Sequence, residues 1–220
     1  DSDASLLVSV MTGSAGFRMP PEKEGAPLTA EEIAIVKQWI LDGYVTTQTR
    51  VQKGSLKPIE AGRAPAFRAL FSALANVDAP VAGDAGCSIR ATREPFCSAD
   101  VAYGLGSSAA VASGFSAKGI ALMGDYALAH SGLAGLINAV WQKRDLLAVV
   151  LKNDVAAMTG FQEAPDLSGI LEALLPTRYL DLPAPEEEVE TVLQEELARQ
   201  GPSVLVARGR CVMKKDSGKN

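Results

Sequence analysis

No stretch of this 220-residue chain stays apolar long enough to cross a bilayer. The longest runs, such as Asp145-Leu-Leu-Ala-Val-Val-Leu151, fall far short of the roughly 20 residues a span requires. No membrane helix is expected. Histidine occurs once, as His130, and cysteine three times, as Cys87, Cys97 and Cys211, with neither C-x-x-C nor C-x-x-C-H among them. That scarcity excludes a zinc ribbon, an iron–sulfur cluster held by this chain alone and covalent c-type haem. Charge of one sign is not concentrated either: 26 acids against 21 bases give −5, with no like-charge block suited to nucleic acid or an anionic membrane. Nucleic acid is not an expected partner. The start, Asp1-Ser-Asp-Ala-Ser, has no initiator Met and no basic n-region, and reads as the middle of a longer protein.

Hydrophobic residues at 47% and charged residues at 21% are ordinary globular proportions, so the chain should bury a core. Its length suits one α/β domain and a short appendage. Residues 1–45 form that appendage. There Pro20, Pro21, Gly25 and Pro27 stiffen a loop ahead of Leu28-Thr29-Ala-Glu-Glu32-Ile33, which carries a capping box and a Leu28–Ile33 staple. The helix it opens should run to about Asp42, stop at Gly43 and gather Ile33, Val36, Trp39 and Ile40 on one face. Residues 46–59 are polar, lack any period and read as a linker.

Helix and strand signals alternate beyond the linker. Phe67, Leu70, Phe71 and Leu74 have helical spacing, and residues 79–84 form a short strand ending in a turn. A Gly/Ser/Ala-rich helix start at 104–114 is followed by a strand at 119–123, a helix from about 131 to 143 and a strand at 146–151. An acidic helix at 186–199 and a strand at 203–207 complete the pattern. Short apolar strands separated by helices predict a doubly wound, mostly parallel sheet covered on both faces. Ligands of such sheets bind beyond the carboxyl ends of the strands, which directs attention to Gly83-Asp84, Gly124-Asp125 and Asn153-Asp154.

Asp125 and Asn153 end consecutive strands, so one βαβ crossover should bring them side by side. An acid, an amide oxygen and a nearby backbone carbonyl suit Mg²⁺, a hard cation that also binds diphosphate oxygens. A Gly-Asp pair followed by Asn about 28 residues on is the pattern of thiamine diphosphate enzymes. The surrounding run, His130-Ser131-Gly132…Gly135-Leu-Ile-Asn138-Ala-Val and Ala157-Met158-Thr159-Gly160-Phe-Gln162, resembles the thiamine diphosphate-binding domain of the indolepyruvate ferredoxin oxidoreductase family. The resemblance covers residues 60–215, leaving 216–220 as a tail.

The resemblance implies side-chain Mg²⁺ ligands at Asp125 and Asn153, with the Val155 carbonyl as a third. It implies cofactor contacts at Gly86, Cys87, Gly106, Ser107, Ser108, Gly124, Met158 and Thr159. His130 becomes a substrate-side catalytic candidate, with an ordinary structural histidine as the plain alternative. Cys87 is equally readable as a small buried hydrophobe. The implied function is oxidative decarboxylation of an aryl 2-oxoacid in a cytoplasmic oligomer, completed by a pyrimidine-binding domain or subunit and by ferredoxin or an iron–sulfur module. Two departures stand out: Lys152 occupies the place of an acid before the metal Asn, and Glu60-Ala-Gly62-Arg63-Ala-Pro65-Ala66 replaces a stretch rich in Cys and His. Residues 1–45 resemble the closing half of cytochrome c-like domains, in which Met19 would be the axial methionine. Dinucleotide binding at Gly104-Leu-Gly106-Ser-Ser-Ala109, or a non-catalytic truncated or chimeric module, are the competing readings.

Overall fold

A computed structural model describes residues 6–16, 18, 25–41, 66–211 and 213. The chain divides into two compact units, 1–50 and 51–220. In the first, α1 (Leu6–Thr12) packs against α2 (Ala30–Leu41). The capping box forms as the sequence predicts: the Thr29 amide donates to Glu32 Oε2 at 2.8 Å and the Glu32 amide to Thr29 Oγ1 at 3.2 Å. The Thr29 amide and the Thr29 hydroxyl, which also donates to Glu32 Oε2 at 3.1 Å, hold the Glu32 carboxyl below its usual pKa. The stop at Gly43, the side chains of Trp39 and Ile40, and Met19 lie outside the described residues.

The second unit is built on a six-stranded sheet. Its strands are β1 (Val81–Gly83), β2 (Val101–Ala102), β3 (Gly119–Gly124), β4 (Leu146–Lys152), β7 (Thr177–Asp181) and β8 (Ser203–Arg208). They run in the order β2-β1-β3-β4-β8-β7, and every pairing is parallel. A separate antiparallel hairpin joins β5 (Val155–Ala156) to β6 (Gln162–Glu163). The apolar runs become strands because a parallel sheet with both faces covered has no solvated side to alternate toward. Residues 119–123 and 146–151 are accordingly all buried.

Helices cover each face. On one side α3 (Arg68–Asn76) supplies Leu70, Phe71 and Leu74, and α8 (Glu186–Ala198) supplies Val189, Val192 and Leu193, to a cluster around Ile120, Leu122, Leu147 and Leu205. Ser72 and Asn76 of α3 donate to Glu186 and Glu190 of α8, each at 2.6 Å, and so join the two helices at the surface. On the other side α4 (Ser108–Ala112), α6 (Leu133–Trp141) and α7 (Ser168–Leu174) pack over Ala121, Met123, Ala148, Val150, Val204 and Val206. The doubly wound parallel sheet is therefore as expected. Among the described residues, no helix is long and apolar enough to cross a membrane.

One helix differs from the sequence reading in a way that matters. Instead of starting near residue 131, helical structure begins at Asp125, directly after β3, as α5 (Asp125–Ala127), continues through a π turn (Leu128–Gly132) and runs into α6. Periodicity alone did not reveal this start because the first turn is short and its register shifts at the π turn. Glycine permits the close approach: a Cβ on Gly132 would lie 2.7 Å from Met123 Sδ, and one on Gly135 would lie 3.0 Å from Ala109 Cβ.

Candidate functional site

Three loops leave the carboxyl ends of β1, β3 and β4. The β3–β4 register pairs Gly124 with Leu151, so Asp125 emerges beside the Lys152-Asn153-Asp154 turn. Asp125 is 7% exposed. Its Oδ2 accepts from the main-chain amides of Asn153 at 2.9 Å and Asp154 at 2.7 Å, and its Oδ1 accepts from the Tyr126 amide at 2.8 Å. Burial raises its pKa, while the three amides oppose the rise and the Asp154 carboxylate adds to it. Asn153 closes an Asx turn by accepting the Val155 amide on Oδ1 at 3.0 Å, and its Nδ2 faces Cys87 Sγ at 3.5 Å. The spacing argument is thus realised: acid and amide meet across adjacent strand ends.

A second carboxylate ties the remaining loop to this point. Asp84, just past β1, is fully buried; its Oδ2 accepts from the Gly106 amide at 3.0 Å and its Oδ1 from Ser88 Oγ at 2.5 Å. Burial lifts its pKa to about 6, against the two hydrogen bonds. Gly106 has φ +77°, and a Cβ there would fall 2.4 Å from Ser131 Oγ and 2.6 Å from the Ala127 carbonyl oxygen. Only glycine fits that crossing. Ser131 in the π turn completes it by donating to the Leu105 carbonyl at 2.7 Å.

A cavity of about 310 Å³ opens among these loops, and its wall includes Gly86, Cys87, Gly124, Asp125, Asn153, Val155 and Thr159 from the sequence-derived set. Gly106, Ser107 and Ser108, also in the sequence-derived set, do not line the cavity, and the buried hydroxyls of both serines have no hydrogen-bond partner among the described residues. His130 is exposed on the π turn, where Nδ1 lies 3.3 Å from Ser131 Oγ, and it does not line the cavity. Met158 belongs to the 3₁₀ turn Ala157–Thr159 without a described side chain. Sequence reasoning did not single out Phe67, Arg90, Tyr126 or Arg210, which also line the cavity, or give a role to Asp84. Lys152 does not line the cavity and pairs with Asp154 and, at 3.7 Å, with Asp166. Burial works against its charge, but these carboxylates more than offset that and raise its pKa.

Residues 84–207 match the family described as thiamine pyrophosphate enzyme, C-terminal TPP binding domain. The chain belongs to that family. As a TPP-binding domain it is similar to indolepyruvate oxidoreductase subunit IorA of Archaeoglobus fulgidus, at 30% identity over 155 residues, 62% of this chain and 25% of that protein. IorA of Methanothermobacter thermautotrophicus is 34% identical over 115 residues, 50% of this chain and 17% of that protein. The chain spans about a quarter or less of the length of these curated relatives. In fold it resembles the 2-oxoglutarate:ferredoxin oxidoreductase of Magnetococcus marinus, with a TM-score of 0.60 at 13% identity, covering 75% of this chain and 68% of that one. The Rhodococcus jostii 4-hydroxybenzoylformate decarboxylase gives a TM-score of 0.51 at 18% identity, covering 72% of this chain and 35% of that one.

The TPP-binding domain's own residues suit a magnesium diphosphate. Asp125, Asn153 and the Val155 carbonyl are all oxygen donors, the set a hard cation takes. Asp125 Oδ1 serves one amide, which leaves it acceptor capacity. Among the described residues no three His, Cys, Asp or Glu side chains gather into a metal cluster, so a cation here would depend on the mixed set. The dinucleotide reading fits less well, because the glycine-rich segment follows only the two-residue edge strand β2 and neither Gly104 nor Gly106 lines the cavity.

Proposed function

We propose that this chain holds the diphosphate of thiamine diphosphate through Mg²⁺, as one half-site of a cytoplasmic 2-oxoacid:ferredoxin oxidoreductase that oxidatively decarboxylates aryl 2-oxoacids. The observation that carries the reading is the meeting of Asp125 and Asn153 on the wall of the cavity at the strand ends. When bound, the cofactor supplies the ylid that does the carbanion chemistry. The protein's part is to bind and orient. Asp125, Asn153 and the Val155 carbonyl would hold the cation, Gly124 would let the main chain approach the phosphates, and Cys87 with Gly86 would stand beside the rings. A pyrimidine-binding domain or subunit supplies the other half-site, and ferredoxin or an iron–sulfur module takes the electrons, so the chain alone is inactive. Residues 1–45 are read as a cytochrome c-like closing half without its haem motif.

Titration calorimetry with thiamine diphosphate and Mg²⁺ tests the binding. Wild type should bind and Asp125→Ala should not, with circular dichroism confirming that the variant is folded. No binding by wild type, or equal binding by the variant, overturns the proposal. Adding a pyrimidine-domain partner should bring on 2-oxoacid-dependent viologen reduction.

A further inference from the structure

Histidine occurs once in the sequence, and His130 is exposed on the π turn Leu128–Gly132. Its Nδ1 lies 3.3 Å from Ser131 Oγ, and the same Oγ lies 2.7 Å from the Leu105 main-chain oxygen. A hydroxyl has one proton and a carbonyl oxygen only accepts, so the Ser131 proton is committed to Leu105. Ser131 Oγ therefore accepts from His130. That places a proton on Nδ1 and, in the neutral ring, leaves the lone pair on Nε2. The peptide that receives Ser131 is held at its other end as well: the Gly106 amide, in one plane with the Leu105 carbonyl, donates to Asp84 Oδ2 at 3.0 Å. From His130 through Ser131 and the Leu105–Gly106 peptide to the buried Asp84, each donor points the same way, so each bond polarises the next. Close packing fixes the peptide: a Cβ on Gly106 would lie 2.6 Å from both the Ala127 carbonyl oxygen and the Gly132 amide nitrogen.

We propose that this line of hydrogen bonds fixes His130 in the Nδ1–H tautomer, making Nε2 a proton acceptor for the 2-oxoacid reaction, with Ser131 and Asp84 as its positioning residues. The inference rests on the 2-oxoacid reading above and adds to it the accepting atom. Proton uptake at Nε2 gives the imidazolium with Nδ1–H still bonded to Ser131, while the donor keeps the electron pair of the broken bond. No member of the line has to turn. In the opposite tautomer Nδ1 would compete with Leu105 for the one Ser131 proton. His130 does not line the cavity, so the O–H or N–H donor that meets Nε2 comes with the completing domain or with a substrate held between the two halves. His130 follows Asp125 by five residues in one continuous helical run, which ties the acceptor to the proposed cation site.

A single histidine gives a single set of imidazole signals. In ring-nitrogen NMR spectra of the intact chain in alkaline solution, Nδ1 should carry the proton and Nε2 should not. Ser131→Ala should shift the tautomer ratio towards Nε2–H by about five-fold, the worth of one hydrogen bond, and Ser131→Thr, which keeps the hydroxyl, should restore it. Circular dichroism checks that both variants fold. A wild-type ring protonated on Nε2, or a ratio that Ser131→Ala leaves unmoved, overturns the proposal. With a pyrimidine-domain partner and phenylpyruvate present, the Nε2 resonance should move as it accepts a bond. Movement with the partner alone assigns the donor to the partner, movement only after phenylpyruvate assigns it to the acid, and no movement with both overturns the role. In viologen reduction by the completed enzyme, Ser131→Ala should lower kcat by about five-fold with KM within about two-fold, and an unchanged kcat overturns the role too. Thiamine diphosphate calorimetry on wild type tests the cofactor reading without touching the ring spectra, so either can fail without the other.

Discussion

Replacing Asp84 with Asn should change how the stability of this domain depends on pH. Asp84 is fully buried, and its pKa rises from 3.8 to about 6, a preference for the protonated form worth about 3 kcal/mol. Below the lower value both folded and unfolded chains hold the proton, and above the higher value both release it. Between the two the folded chain binds a proton that the unfolded chain has lost, so stability falls as pH rises from about 4 to about 6. Asn carries no such proton. It keeps an acceptor for the Gly106 amide, and Ser88 Oγ can accept from its NH₂ while still donating to the Asp84 main-chain oxygen, as it does now at 3.0 Å. Urea denaturation of wild type and Asp84→Asn across this range gives the difference in unfolding free energy at each pH. That difference should move by about 3 kcal/mol in favour of the variant on going from about pH 3 to about pH 7. A difference that stays level within about 0.5 kcal/mol would refute the assignment of a buried, high-pKa carboxyl to this site.

Gly106→Ala should be among the most damaging small substitutions, because its Cβ meets main-chain atoms at 2.6 Å and the φ of +77° is itself strained; a loss of about 3 kcal/mol or more is expected by thermal or urea melting. Lys152→Met should leave thiamine diphosphate and Mg²⁺ affinity within about two-fold by calorimetry, since the lysine pairs with Asp154 and Asp166 and the charge of Asp125 acts on it only after theirs. Leu147→Ala, near the start of β4 and fully buried, should cost about 3 to 5 kcal/mol in urea unfolding.

What could be read from the sequence and what could not divide along a physical line. The strands β3, β4 and β8 are continuous apolar runs because both of their faces are covered, and a run of that kind needs no partner to be recognised. The same holds for the Thr29–Glu32 capping box, whose two bonds span three residues. Asp125 and Asn153 could be paired in advance because a single crossover joins their strands, and parallel register then leaves little freedom. By contrast β7, the edge strand Thr-Arg-Tyr-Leu-Asp, is only partly buried and so has no apolar run to announce it. Its preceding helix α7 carried a local signal that went unread, the Asp166 carboxylate accepting the Ser168 amide at 3.1 Å and hydroxyl at 2.6 Å. The chain enters the hairpin of β5 and β6 through Asp154 at φ +61° and turns it at Gly160, φ +119°, and Phe161, φ +61°, and composition does not dictate a positive φ at Asp or Phe. Asp84 and the arginines are a different case. Asp84 acts on Gly106 from 22 residues away, and Arg90 and Arg210 meet the same cavity from loops after β1 and β8. No periodicity links such positions, because what relates them is the order of strands across the sheet. In this fold Asp125 and Asn153, proposed to hold a magnesium diphosphate, sit within one crossover and can be read locally, whereas the residues that hold the loops in place or charge the cavity are set by topology.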